Sequence, residues 1–338
     1  MLAFVCAALF FVILAALASK GNGATPMTGS EYVYQTGDET SKDTLLMIPI
    51  HGVILTEQGG ADFSTFFDSQ LTYGYSIKDE LVKAADDDHI KGIFLHIDSP
   101  GGTVAGAKAI ADGVEAYRQK TGRPVYAYIG GTAASGGYWA AVAADKVYAD
   151  TGSSVGSIGV IFGPFKYYDT VTAEDGGIVS GGVVTEKGIQ TTYITAGRSK
   201  DIGNPYRQLS QQEIASLQQS VDDVYGAFVK QVALHRDLSE TDVTQNLGAM
   251  IYSEKQAIDR KMIDGVANRD EVQQLLATQA GLEEGSYQLV SPAGSGNLID
   301  SLLGVTQRWL PRPVTVSSGC AFSRVVMAYH GDVASLCQ

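Results

Sequence analysis

The chain opens with an unbroken apolar run from Leu2 to Ala18, 17 residues, followed by a polar, Gly-, Ser- and Thr-rich stretch from Ser19 to Asp43. About 17 apolar residues is the lower limit for a membrane-spanning helix, and the polar stretch reads as a linker. Ala16-Leu17-Ala18 also supplies an A-x-A-like cleavage site, although the run is slightly long for the apolar part of a signal peptide. An uncleaved anchor is the preferred reading, ahead of a cleaved signal and a buried core helix. The first positive charge, Lys20, follows the run, so charge asymmetry fixes no orientation.

From Thr44 onward, short apolar runs alternate with helical periodicity. Leu45 to Ile50 predicts a buried strand ending at His51-Gly52. Ser76 is expected to cap a helix through about Ala85, with Ile77, Leu81 and Ala84 on one face. Ile93 to Ile97 predicts the next strand, stopped by Asp98-Ser99-Pro100-Gly101-Gly102. A helix is expected from about Val104 to Gln119, where Ala109, Ile110, Val114 and Tyr117 recur at helical spacing. Gly122-Arg123-Pro124 turns into the strand Val125 to Ile129, and an Ala-rich helix follows from about Gly136 to Ala144. Val147 to Ala149, Val155 to Ile161 and Thr191 to Thr195 read as further short strands. Each glycine cluster falls at a strand-to-helix switch, which predicts a layered α/β fold with largely parallel pairing.

The pattern fades between Gly163 and Gly188, where a Gly-rich stretch reads as an exposed insertion. Ser210 and Glu213 then form a capping box, followed by a stripe of Ile214, Leu217, Val221, Val224, Phe228 and Val232. That long helix reads as packing and assembly. Ser253 and Gln256 cap another helix, closed by Gly265. Beyond about Gly281 the chain is a Pro-, Gly- and Ser-interrupted tail, in which Leu298, Leu302 and Leu303 mark a short amphipathic segment. The expected organisation is an anchor or signal at 1–18, a linker at 19–43, a catalytic domain at 44–280 and a tail at 281–338.

Composition narrows the function classes. The net charge of −13 comes without a basic cluster, which argues against nucleic acid as a partner. Glycine accounts for 39 of 338 residues, well above the usual share of about 7%. With no Gly-X-Y period, those glycines mark places where backbone needs positive φ or close approach. Cys320 and Cys337 share the tail and pair or stay free depending on compartment.

Ser135 follows a strand and opens a helix between Ala134 and Gly136-Gly137. Small neighbours leave room for a substrate, and the first N–H groups of a helix lack intrahelical partners. A serine there can attack a carbonyl while the Gly136 N–H receives the oxyanion; the plainer alternative is an N-cap serine. Gly101-Gly102 suits a second oxyanion donor, because glycine lets an N–H point outward with no Cβ in the way; the alternative is an ordinary turn. None of the five histidines, His51, His89, His96, His235 and His330, has a site-like context. A desolvated lysine can act as base instead. Lys200, in the glycine-marked segment Ala196 to Gly203, is the candidate, against the alternative of a solvated loop lysine. No Cys/His cluster, HExxH, Walker or Rossmann motif occurs, so neither metal nor cofactor is expected.

Taken together, the chain resembles the signal peptide peptidase A family, peptidase family S49. These are membrane-anchored Ser/Lys-dyad serine proteases with a ClpP/crotonase-like fold of repeated ββα units. Four segments carry the resemblance in order: Asp98 to Gly102, Ala133 to Tyr138, Gly156-Ser157-Ile158-Gly159-Val160, and Gly197 through Lys200-Asp201-Ile202. Tyr252 to Val266 adds a fifth, and together they cover roughly Thr44 to Asn268. The resemblance implies Ser135 as nucleophile, Lys200 as general base and Ser157 orienting the lysine amine. It also implies an oxyanion hole from the N–H groups of Gly102 and Gly136. Its further implications are a ring or dome of identical chains, short apolar peptides such as signal-peptide remnants as substrates, and a cell-membrane location. There a single N-terminal anchor would sit in lipid with the catalytic domain outside the cytoplasm.

Three departures stand out. The Gly163 to Gly188 insertion reshapes the region before Lys200, Lys166 and Lys187 there compete weakly for the base role, and the tail after Gly281 has no counterpart. Two other function classes remain open at this point: a crotonase-type acyl-CoA enzyme, and a non-catalytic membrane-associated assembly protein.

Overall fold

A computed structural model describes residues 32–57, 71–169, 171–174, 183–293 and 326–328. The apolar run at 1–18, Cys320 and Cys337 lie outside the described residues. Among the described residues no helix is long and apolar enough to cross a membrane. The chain divides into two units. Of the first, 1–33 with 292–305, only a few residues are described; the second, 34–291 with 306–338, holds the elements that build the site.

The strands are β1 (Tyr32–Gly37), β2 (Thr44–Leu55), β3 (Leu71–Tyr73), β4 (Ile90–Thr103), β5 (Val125–Ala134), β6 (Lys146–Ala149) and β7 (Ser154–Gly156). They continue with β8 (Val171–Glu174), β9 (Val183–Ile189), β10 (Ile251–Ser253), β11 (Gly265–Val266), β12 (Gln288–Pro292) and β13 (Val326–Ala328). The main sheet runs β1-β12-β2-β4-β5-β6-β11, with β3, β7, β10 and β13 attached beside this path. Its central pairs, β2 with β4 and β4 with β5, are parallel, as are β5 with β6 and β5 with β7.

The long apolar runs become central strands because both faces of the sheet are covered. Leu45, Leu46, Ile48, Ile93, Phe94, Leu95, Val125, Ala127 and Ile129 are all buried. One helical layer contains α1 (Gly74–Ala84), α2 (Val104–Thr121) and α3 (Gly136–Val142), which pack on one another and on β2, β4 and β5. The helix α6 (Arg269–Gln279) packs Val272 and Leu276 against Leu45, Phe94, Tyr126 and Tyr128. Between them in sequence come α4 (Gln211–Arg236) and α5 (Glu254–Asp259), both opened by the capping boxes the sequence predicts. Trp139 of α3 stacks on Phe228 of α4, with ring centroids 4.7 Å apart. The Tyr138 hydroxyl donates to the Met262 carbonyl at 2.8 Å. These two contacts hold α3 in place from its buried side.

Several expected boundaries move. The helix expected from Ser76 starts at Gly74, and its cap position is Tyr73, which makes no side-chain cap bond. β4 does not stop at Asp98 but continues through Gly102, because Gly101 and Gly102 still pair with Val53 and Ile54 of β2. The expected strand at 191–195 is not formed; β9 lies just before it, paired with β8 in a separate two-stranded sheet. Ile194 is 99% exposed, so the Thr-rich stretch has β propensity but no buried face against which to use it. The sheet also reaches into the expected linker and tail, since β1 and β12 both join it and β12 lies parallel to β2.

Candidate active site

β5 ends at Ala134 and α3 begins at Gly136, which leaves Ser135 alone at the switch. Its φ of 54° and ψ of −118° fit the first central position of a type II′ turn, normally taken by glycine. Holding an L-residue there costs on the order of 1–3 kcal/mol. The surroundings impose the conformation from both sides. The Ser135 N–H donates to the Gly156 carbonyl at 2.8 Å, and its carbonyl accepts from the Trp139 N–H at 2.9 Å. The side chain makes no cap bond to α3, so Ser135 is not acting as an N-cap serine. Its hydroxyl instead points to the Gly159 carbonyl, 3.5 Å away, and the residue is only 1% exposed.

Gly102 and Gly136 meet beside this serine. A β-carbon added to Gly136 would lie 3.3 Å from the Gly102 nitrogen and 3.1 Å from the Ala107 methyl. One added to Gly102 would lie 2.0 Å from the Ile54 carbonyl oxygen, so β2 and β4 approach too closely for any side chain. The Gly101-Gly102 turn is braced by Ser99, which is fully buried. Its hydroxyl donates to the Gly52 carbonyl at 2.6 Å and accepts from the Gly101 N–H at 3.1 Å. The Ser99 carbonyl in turn leaves no room for a side chain at Gly137, where a β-carbon would come within 2.7 Å. The Gly102 nitrogen thus lies close to Gly136, the residue after the buried Ser135, and paired backbone N–H groups beside a serine are the kind of donors that can stabilise a tetrahedral oxyanion.

Ser157 stands on the other side. It too has a positive φ, 54°, and its N–H donates to the Met250 carbonyl at 2.7 Å. β10 locks this segment antiparallel to β7, with Ile251 opposite Gly156. Ser157 is buried and directly follows the glycine whose carbonyl holds the Ser135 N–H. Ser135, Gly136, Gly102 and Ser157 are therefore gathered on the adjoining ends of β4, β5 and β7.

Lys200 is not joined to them. It is exposed, in a turn where its N–H reaches the Gly197 carbonyl at 3.3 Å. Among the described residues no hydrogen bond links its amine to Ser135 or Ser157. Lys166 and Lys187 are exposed as well. What anchors the Lys200 segment is the next residue. Arg207 holds the Asp201 carboxylate in a bidentate pair, both bonds 2.8 Å, and grips Glu213 at 2.7 and 2.9 Å. The Arg207 guanidinium pulls the Asp201 carboxyl down to about 2 and also lowers that of Glu213. Glu213 at the same time caps α4 through the Ser210 N–H, 2.8 Å away.

Of the five histidines, His330 lies outside the described residues. His51 and His96 meet edge to face at 4.6 Å. Burial, and next the neighbouring His51, push His96 down to about 4. Among the described residues no group of His, Cys, Asp or Glu side chains could hold a metal. Sequence reasoning named the four clustered residues but missed Ser99 and Arg207. Ser99 stood inside the Asp98 to Gly102 motif and carried a signal; Arg207, in an irregular stretch, carried none.

The model of peptidase family S49 matches residues 117–283, and the Clp protease model matches residues 67–152. The second match identifies the α/β sheet as ClpP-like. A protease-named protein of Methanocaldococcus jannaschii is 35% identical over 59% of this chain and 58% of its own length. A protein of Enterococcus faecium named for signal peptide peptidase SppA is 25% identical over 91% of this chain and 90% of its own. Protease 4 of Haemophilus influenzae is 27% identical over 76% of this chain, which spans 39% of that protein.

Proposed function

The chain belongs to the serine-protease family S49, and from that premise we propose that it is an endopeptidase in which Ser135 is the nucleophile and Lys200 the general base. The observation that carries this reading is Ser135 itself, strained, uncapped and followed by Gly136, which packs close to the Gly102 nitrogen. Ser135 Oγ attacks the peptide carbonyl carbon as the lysine amine takes its proton. The oxyanion forms between the two glycine N–H groups, and the lysine then protonates the leaving amine. Water repeats the sequence on the acyl-enzyme and regenerates the serine. Ser157 orients the lysine amine.

A lysine base works only when desolvated, and Lys200 is exposed in the isolated chain. We assign that desolvation to assembly of identical chains into a closed ring or dome. The apolar run at 1–18 serves as the membrane anchor, and short apolar peptides such as signal-peptide remnants are the substrates. The acyl-CoA alternative uses the oxyanion donors without a nucleophile and gives the strained serine no role.

A peptide-library cleavage assay on wild type and Ser135→Ala tests this reading. Wild type cleaves within apolar sequences and the folded variant does not. Cleavage by Ser135→Ala at the wild-type rate would refute it.

A further inference from the structure

β5 changes partner on its way to Ser135. Over residues 126–129 it pairs with β6, and over residues 132–134 with β7. On its other side it pairs with β4, where Ile97 faces Ile129 and Ser99 faces Ala133. Between those two pairs β4 has one residue, Asp98, whereas β5 has three, Gly130, Gly131 and Thr132. The surplus of β5 therefore bulges out of the ladder just where the strand passes from β6 to β7. Asp98 closes this bulge, its Oδ1 accepting the Thr132 N–H at 2.9 Å. The two glycines make room for the side chains of β4. A β-carbon on Gly131 would lie 2.7 Å from Asp98 Oδ1, and one on Gly130 would lie 2.9 Å from His96 Nε2.

We propose that Asp98 is a positioning residue for the nucleophile: its carboxylate pins the bulge that sets the register of β5 on β7, and with it the place of Ser135. This rests on the peptidase reading above and adds a residue that acts through Ser135. A bulge re-aims the residues that follow it, and a slip of one residue turns every side chain to the opposite face. Beyond the bulge, Thr132 lies opposite Ser154 and Ala134 opposite Gly156. That register brings the Ser135 N–H to the Gly156 carbonyl, 2.8 Å away, one of the two bonds that hold its φ of 54°. Without Asp98 the Thr132 N–H loses its acceptor and the bulge is no longer pinned. Asp98 is exposed, so water replaces the lost bond and the chain stays folded. The geometry calls for an acceptor rather than a charge, and an amide oxygen at the same position meets it.

The test compares the full wild-type chain with Asp98→Asn, Asp98→Ala, Gly131→Ala and the double variant Asp98→Ala with Gly131→Ala, using an apolar peptide. Asp98→Ala lowers kcat about tenfold or more with KM little changed, the effect of a misplaced nucleophile. Asp98→Asn keeps kcat near the wild-type value. Gly131→Ala pushes its methyl against Asp98 Oδ1 and lowers kcat in the same way. The double variant is no worse than Asp98→Ala alone, because both changes act on one contact. Amide exchange at residues 132–135 is faster in Asp98→Ala than in wild type or Asp98→Asn. The proposal is overturned by wild-type kcat in Asp98→Ala, by an equal loss in Asp98→Asn, by additive losses in the double variant, or by unchanged exchange at 132–135. An inactive wild type would remove the peptidase reading, while the exchange comparison would still decide whether Asp98 holds the strand.

Discussion

At Ser135 the backbone and the chemistry are one feature. The φ of 54° swings the side chain off the α3 axis, so the hydroxyl does not cap the helix it precedes. The sequence shows small residues around a serine at a strand-to-helix switch, but a dihedral is not written in residue types. Ala134-Ser135-Gly136 fits an ordinary cap equally well until Gly156 and Trp139 fix its two peptide groups. Ser99 is a positioning residue by the same logic, since its hydroxyl ties the Gly101 N–H to the Gly52 carbonyl. Ser99→Ala is expected to lower kcat about tenfold or more with KM little changed, because it misaligns a donor that acts on the transition state. Steady-state kinetics on the folded variant check this. A rise in KM at constant kcat would place Ser99 in substrate binding instead.

At the scale of elements, local signals were strongest where side chains answer to their own helix. The capping boxes at Ser210-Glu213 and Ser253-Gln256 were legible, as was the alternation that makes β2, β4 and β5. The run through Gly102 was not, because Pro100-Gly101-Gly102 reads as a stop and pairs only through contact with a strand some 50 residues earlier. The clamp of Arg207 on Asp201 and Glu213 was equally hidden, since it joins an irregular loop to the start of α4. Because the Asp201 carboxyl is depressed in the fold, to about 2 against 3.8, its contribution is fully present above pH 3.8. It is lost as pH falls through about 2. Arg207→Met is therefore less stable than wild type above about pH 4, with the gap closing toward pH 2. Urea unfolding across that range checks the sign. The variant also frees the Lys200 loop, so kcat falls even at neutral pH.

At the scale of the molecule, alternating strands and helices with glycines at each switch were enough to indicate a layered, mostly parallel sheet. What no local pattern could show is how far the sheet extends. Gln288–Pro292 sits in a stretch broken by Gly, Ser and Pro, yet it lies parallel to the start of β2. β13 returns to β4 from more than 200 residues away. The candidate site is legible to a similar degree. The proposed nucleophile, Ser135, and the proposed oxyanion glycines, Gly102 and Gly136, are gathered by one chain, whereas Lys200 stands exposed. Exposed apolar side chains on the same stretch, Phe165, Tyr167, Tyr168, Ile194 and Ile202, are a surface that the proposed assembly would cover. The central claim is a serine activated by that lysine. Turnover of an apolar peptide by purified, folded Lys200→Ala tests it most directly. The account predicts a loss of at least about a hundredfold in kcat, the scale of a missing general base; turnover at the wild-type rate would contradict it.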